Sequence, residues 1–194
     1  MVEKLIIKDF AGIKEIEIEI KKINILIGPQ ASGKSICAKL LFYFKNFVWK
    51  ILDVVENEQT KRNLDLNYIN TFEEYFPPDS WGNHDFFIRY EIANVFIEVR
   101  KKQDGKGKIS ISYSDFFKQE LAWLRSEKKK AAKRFDDNVR DQGVIEQKFY
   151  LRGYLRNSLT ELLSKSLCQE VAFDQLFIPA GRSFFAQLQS NIFS

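Results

Sequence analysis

Apolar and acidic residues alternate strictly from Glu15 to Ile20: Ile16, Ile18 and Ile20 stand against Glu15, Glu17 and Glu19. This is the period of a strand with one buried and one wet face. A first strand over Lys4–Phe10 precedes it, and Ala11-Gly12 supplies the turn between them. Ile23–Ile27 follows a different rule. Asn24 is its only polar member, and a short run of β-branched and aliphatic residues predicts a strand covered on both faces. After a glycine-bearing loop the period lengthens. Cys37, Leu40, Leu41, Phe44, Val48, Ile51, Leu52 and Val55 recur at three- and four-residue steps, one helical stripe of about five turns. Leu64 to Phe76 reads as a short helix ended by Pro77-Pro78. Phe86–Ile92, Val95–Lys101 and Lys108–Tyr113 read as an antiparallel meander, with Asp104 to Gly107 as the last hairpin loop.

From Asp115 to Leu167 the pattern is helical and charge-rich. Phe117, Leu121, Leu124, Ala131 and Phe135 follow heptad-like steps, with Lys128 in one seam position. A second stripe runs through Ile145, Phe149, Tyr154 or Leu155, Leu159 and Leu162. The break at Gly143 predicts a helical hairpin with arms of about 25 residues, roughly 37 Å each. Two ordinary helices packed on the domain satisfy the same pattern. A short strand over Gln175–Ile178, then Pro179-Ala180-Gly181-Arg182 and a helix-like tail through Phe185 and Leu188, complete the reading. Three units are expected: a lobe over 1–114, a helical insertion over 115–167, and a return to the lobe over 168–194.

Composition narrows the chemistry. The 194 residues carry 30 basic and 26 acidic side chains, one His and two Cys. With His84 alone no multi-His metal site exists, and Cys37 and Cys168 form no CxxC framework. Unpaired thiols suit a reducing compartment, and no apolar run has the length of a membrane span or the form of a signal peptide. A cytoplasmic protein without a membrane partner is expected.

Gly28-Pro29-Gln30-Ala31-Ser32-Gly33-Lys34-Ser35 matches GxxxxGK[ST], the P-loop or Walker A pattern, between an expected strand and an expected helix. Gly28 and Gly33 permit backbone angles and close approaches that a Cβ obstructs. Amides from Gln30 to Ile36 can turn inward on phosphate oxygens, helped by the helix dipole. Lys34 brings a cation to the β- and γ-phosphates, and Ser35 a hydroxyl to Mg²⁺. Residues 28–36 are therefore the candidate site for ATP and Mg²⁺. The bland alternative is an empty strand–turn–helix.

With Asp9-Phe10 on the first strand, the alternating second strand, and Ile23-Asn24-Ile25-Leu26-Ile27-Gly28-Pro29 leading into the loop, the chain resembles the ATPase head of the ABC-type SMC, SbcC and RecF group. Within that group it is most similar to bacterial AAA-type ATPases related to the OLD and Septu anti-phage proteins. Phe177-Ile178-Pro179-Ala180-Gly181-Arg182 is similar to the strand-then-Arg element those proteins carry near the Q-loop. The resemblance implies an α/β P-loop NTPase lobe with a mixed sheet, an antiparallel meander and a helical-hairpin insertion. It also implies head-to-head pairing around two ATP molecules, with DNA or a nuclease as client. The chain departs from the family at Gln30 and Ala31, where Asn and Gly are common, at Ile36 in place of a hydroxyl residue, and at Ala11 in place of a basic one.

Neither an LSGGQ-like signature nor a Walker B strand ending in Asp-Glu is found. Asp53 lies on the amphipathic stripe and Glu98 inside the meander, so no catalytic residue is assigned in this chain. We expect the N-terminal lobe of a longer ATPase, or a subunit completed by another polypeptide, and the ending Asn191-Ile192-Phe193-Ser194 suits a truncation. A non-hydrolysing nucleotide sensor or scaffold is the alternative. An NKxD guanine-reading pattern is missing, which argues against a GTPase. Arg182 is a candidate phosphate or protomer contact, and Gln187 or Gln189 a candidate Q-loop glutamine; Phe10 is either a base-stacking residue or a core anchor. Residues 118–156 hold 11 basic and 6 acidic side chains, a net +5, against −1 for the rest of the chain. The cluster Lys128, Lys129, Lys130, Lys133 and Arg134 is thus either a nucleic-acid contact or a solvated face.

Overall fold

The computed structural model describes residues 2–101, 108–138, 144–167 and 175–176. Strands β1 (Glu3–Phe10) and β2 (Ile13–Ile20) form the first hairpin, and β3 (Phe86–Ile92), β4 (Val95–Lys101) and β5 (Ile109–Tyr113) form the meander. They make one five-stranded sheet in the order β2-β1-β3-β4-β5. Every neighbouring pair is antiparallel, including the long-range pair β1–β3, in which Leu5 faces Tyr90 and Ile7 faces Ile88. The expected mixed sheet is corrected here. Parallel neighbours need a strand laid alongside through a crossover, and Ile23–Ile27, expected as a strand covered on both faces, lies in no strand of this sheet. The sheet is two-sided by alternation. Leu5, Ile7, Ile88, Tyr90, Ile97 and Val99 are buried on the inner face. Lys4, Glu17, Arg89, Glu91 and Arg100 pair on the outer one.

Five helices are described: α1 (Lys34–Lys45), α2 (Phe47–Glu56), α3 (Lys61–Tyr75), α4 (Asp115–Asn138) and α5 (Val144–Ser166). The single stripe from Cys37 to Val55 resolves into α1 and α2. Asn46 keeps near-helical angles and passes its N–H to Phe42, while its side-chain amide takes the same carbonyl. Such side-chain competition interrupts a helix without losing its phase. That is why periodicity ran straight through the break. α2 is buried on most of its surface, through Phe47, Val48, Ile51, Leu52, Val54 and Val55. α3 starts earlier than Leu64, at Lys61, because the Thr60 hydroxyl accepts the N–H of Asn63 and caps it. Phe10 is fully buried among Phe72, Phe76 and Phe86, an anchor of the core and not a base-stacking residue. Tyr43 and Tyr68 donate hydroxyls to each other's main-chain carbonyls, locking α1 to α3. Burial pushes both phenols well above their ordinary range.

α4 and α5 pack on each other and also lie on α2. Phe117 meets Phe47 near one end of the contact, and Lys128 reaches the Val55 and Glu56 carbonyls at the other. The seam lysine is thereby explained. It hydrogen-bonds the last carbonyls of α2, where a cation also meets the negative end of the helix dipole. On α5 the buried stripe is Leu155, Leu159 and Leu163, continued by Leu167 just past its end, whereas Phe149 is exposed and Leu162 only half-buried. A step of four from Leu155 keeps one face toward α4 and α2, and Phe149 falls off it. Gln175 and Leu176 carry no strand. Phe177, Ile178, Arg182, Gln187, Gln189, the turn at Asp104–Gly107, Gly143 and Cys168 lie outside the described residues.

Candidate nucleotide-binding site

The turn from Gly28 to Gly33 lies between an irregular run and the first turn of α1. Its geometry follows from two left-handed residues, Ala31 at φ 62° and Gly33 at φ 82°. Gly33 is required twice over. Its φ disfavours any Cβ, and a Cβ placed there would stand 2.7 Å from Ile13 Cδ1. Gly28 has a different reason, since its φ is not left-handed: a Cβ would meet the Ser32 hydroxyl at 3.0 Å. The sequence assigned both glycines to angles and approach together; only approach applies at Gly28. Ile13, the first residue of β2, was not singled out from sequence, and only the tertiary fold places it under Gly33.

The first amide of the helix to find a main-chain acceptor is that of Cys37, which donates to Gly33. Among the described residues, no amide from Gln30 to Ile36 donates to another protein group. Seven donors in and after a tight turn, at the positive end of a twelve-residue helix, make a concave surface suited to an anion. The Lys34 ammonium folds back over it, donating to the Gly28 carbonyl at 2.8 Å, to the Ser32 hydroxyl at 3.0 Å and to the Pro29 carbonyl. Each of these acceptors is a neutral oxygen, which a phosphate oxygen outcompetes for a cation. The Ser35 side chain is exposed on the first turn of α1. An open groove of about 360 Å³ adjoins the turn, lined by Ile16, Ile18, Leu26, Pro29, Lys34 and Cys37. Cys37 is a free, buried thiol whose pKa burial raises.

The acids weighed for a metal are held elsewhere. Asp53 is a surface residue of α2 that faces Lys50 at 4.0 Å. Glu98 is buried on β4, accepting from Arg100 at 2.6 Å and from the Ser112 hydroxyl at 2.8 Å, with Arg89 at 3.6 Å. Burial alone would raise its pKa, but these hydrogen bonds and the two guanidinium charges outweigh it and hold the carboxyl below its ordinary value. Among the described residues no group of three His, Cys, Asp or Glu side chains is placed to hold a metal, and no helix is long and apolar enough to cross a membrane.

An antiparallel sheet backed by helices, with a glycine turn of free amides opening α1, defines an α/β domain of the kind that takes an anionic ligand at a helix N-terminus. A family model described as an AAA ATPase domain matches residues 1–176, and the chain belongs to that family. Nucleotide binding is the property that membership carries. No curated protein and no solved structure matches the chain.

Proposed function

We propose that this chain binds ATP with Mg²⁺ through residues 28–36, and that it is the nucleotide-binding lobe of an SMC/RecF-like, ABC-type ATPase of the OLD/Septu kind. The observation that carries the reading is the row of amides from Gln30 to Ile36, none of them with an acceptor among the described residues. In this reading the amides of Gln30, Ala31, Ser32, Gly33 and Lys34 enclose the β-phosphate, and that of Ile36 lies nearest the α-phosphate. The Lys34 ammonium exchanges its three loop oxygens for phosphate, and Pro29, lacking an N–H, closes the loop without a donor. Mg²⁺ would take the Ser35 hydroxyl as its single protein ligand here, completed by phosphate oxygens and water. The metal supplies charge neutralisation between the phosphates when bound.

Hydrolysis needs a metal-holding acid and a group that orients water. Asp53 and Glu98 are engaged away from the turn, which supports a lobe that is completed by further polypeptide and turns over little ATP by itself. Pairing with a second head, and a DNA or nuclease client in DNA metabolism or phage defence, belong to the same proposal. Arg182 and Gln187 remain candidates for that completed site. The rival reading, a nucleotide sensor or scaffold that never hydrolyses, rests on the same engaged acids. Calorimetric titration of the whole chain with ATP–Mg²⁺ tests the proposal: Lys34→Ala should lose most of the affinity, and an unchanged isotherm refutes the assignment. Turnover well above background by the chain alone refutes its incompleteness. Binding without turnover after the missing lobe is supplied favours the sensor.

A further inference from the structure

A groove of about 720 Å³ lies away from the glycine turn, where the end of α2 meets α4 and α5. That volume is in the range of small-molecule sites, which often form between packed helices. One of its lining acids is unusual. Glu56 Oε1 is buried without a hydrogen-bond partner, and burial raises the pKa of its carboxyl. Arg152 stands with Nε 3.6 Å from that oxygen, beyond hydrogen-bond distance. Lys128, which also lines the groove, is engaged by the Val55 and Glu56 carbonyls and by Glu58. A buried acceptor is thus left without a donor, a cost that native folds normally avoid. The other walls differ in character. Phe149, off the buried stripe of α5 and 73% exposed, lies against the groove with Leu155. Lys148 and Arg152, one turn apart on α5, add two exposed cations.

We propose that this groove binds a guanine mononucleotide, with the base edge on the Glu56 carboxylate, the ring against Phe149 and the phosphate on Lys148 and Arg152. Each part narrows the ligand. A carboxylate only accepts, so the ligand must bring donors. Among the nucleobases guanine alone sets two N–H groups, on N1 and N2, side by side along one edge, and one carboxylate takes both. Adenine and cytosine place a single amino group beside an acceptor nitrogen, which the carboxylate repels. An aromatic ring stacks on any base and adds affinity without choosing. Two cations suit one phosphate group better than the track of a continuous strand. An ammonium ligand also answers Glu56, but it leaves Phe149 uncovered and meets Lys148 and Arg152 with its own sign of charge. The proposal is independent of the ATP reading, because none of its residues belongs to α1 or the glycine turn.

The test is titration calorimetry on the full chain, with guanosine 5′-monophosphate as the probe and Lys34→Ala as a parallel chain. Wild type and Lys34→Ala should take the probe equally. The adenosine, cytidine and uridine monophosphates should bind at least tenfold more weakly, as expected of a site built around donors they do not supply. Glu56→Gln, which exchanges one acceptor for a donor, should lose the preference and at least tenfold in affinity for the probe. Lys148→Ala and Arg152→Ala change exposed side chains and should fold as wild type. Each should weaken the probe severalfold, and Lys148→Ala should leave unphosphorylated guanosine unaffected. No binding at millimolar probe, four monophosphates bound alike, or binding lost in Lys34→Ala overturns the proposal. So does tighter binding of the single strand dT-dT-dG-dT-dT than of the probe. A Glu56→Gln chain with an unaltered thermal midpoint and the wild-type preference overturns it too, as does unaltered probe affinity in both Lys148→Ala and Arg152→Ala.

Discussion

Gly33→Ala probes the turn with two separable penalties. A Cβ in the left-handed region costs about 1–2 kcal/mol, and φ at Gly33 is 82°. The same Cβ lies 2.7 Å from Cδ1 and 2.8 Å from Cγ1 of Ile13. Those atoms end a flexible side chain, so relief requires a displaced rotamer, about 0.5–1.5 kcal/mol. The variant should be less stable by about 2–3 kcal/mol, a fall of roughly 5–10 °C in thermal midpoint for a domain this size. Ile13→Ala in the same chain removes both clashing carbons and leaves φ untouched. The double variant should therefore recover the contact share, a coupling of about 0.5–1.5 kcal/mol in a double-mutant cycle. Affinity for ATP–Mg²⁺ should behave differently: the displaced amides at 33 and 34 should weaken it at least tenfold, with no rescue by Ile13→Ala. Differential scanning calorimetry and titration calorimetry read the two quantities. A Gly33→Ala chain with an unaltered midpoint and unaltered affinity refutes the turn geometry from which both were worked.

Lys128→Met keeps the aliphatic stem but removes the hydrogen bonds to the Val55 and Glu56 carbonyls and the ion pair to Glu58 at 2.9 Å; a loss of about 1–2 kcal/mol in urea unfolding is expected, whereas exposed Lys129→Met should change it by under about 0.5 kcal/mol. Charge reversal at Lys129 and Lys133 should weaken DNA retention on a column and flatten its salt dependence, and an unaltered profile makes this face merely solvated. Glu120 is buried with Oε2 lacking a partner, and burial raises its pKa to about 7; the unfolded chain ionises it near its ordinary value, so stability should fall by up to about 3 kcal/mol as pH rises from 4.5 to 7 and level off above. Glu120→Gln should remove that slope, which urea midpoints at pH 5 and pH 8 will show.

Elements whose burial is decided locally were legible in the sequence. The first hairpin, the meander and the two long helices read correctly as elements, because their period is written into successive residues; the buried face expected on β2 does not follow, since Ile16 is exposed, Ile18 half-buried and only Ile20 buried. The glycine turn was legible because its residue types answer to the backbone itself. What failed depended on tertiary partners. Asn46 breaks α1 from α2 in phase with the stripe, so no periodicity reveals it. The α5 face was misdrawn because the weak pattern around Phe149 admits two registers, and only α4 and α2 choose between them. Lys128 looked like a flaw in a heptad seam, or a charge for nucleic acid. Its place in the seam is explained by the Val55 and Glu56 carbonyls at the end of α2, which its ammonium reaches. Ala31 is instructive in the other direction: the alanine noted as a departure still takes the left-handed angle that glycine adopts freely.

The misread strand carries a different lesson from the misread helices. Ile23–Ile27 was read as buried on both faces, and four of its five side chains are instead large apolar groups in solvent. Hydrophobicity in a sequence records the environment a segment occupies when its function is carried out, and an edge strand that was meant to stay open is normally blunted by charge, proline or a bulge. Here Lys21 and Lys22 precede the run and Pro29 follows it, but nothing interrupts it. The outer face of the same sheet shows what an open surface looks like in this protein: Lys4, Lys8, Glu15 and Glu17 are paired across neighbouring strands. One molecule thus carries two exposed surfaces of opposite character, ionic on the outer face of the sheet and aliphatic on the irregular run beside the glycine turn.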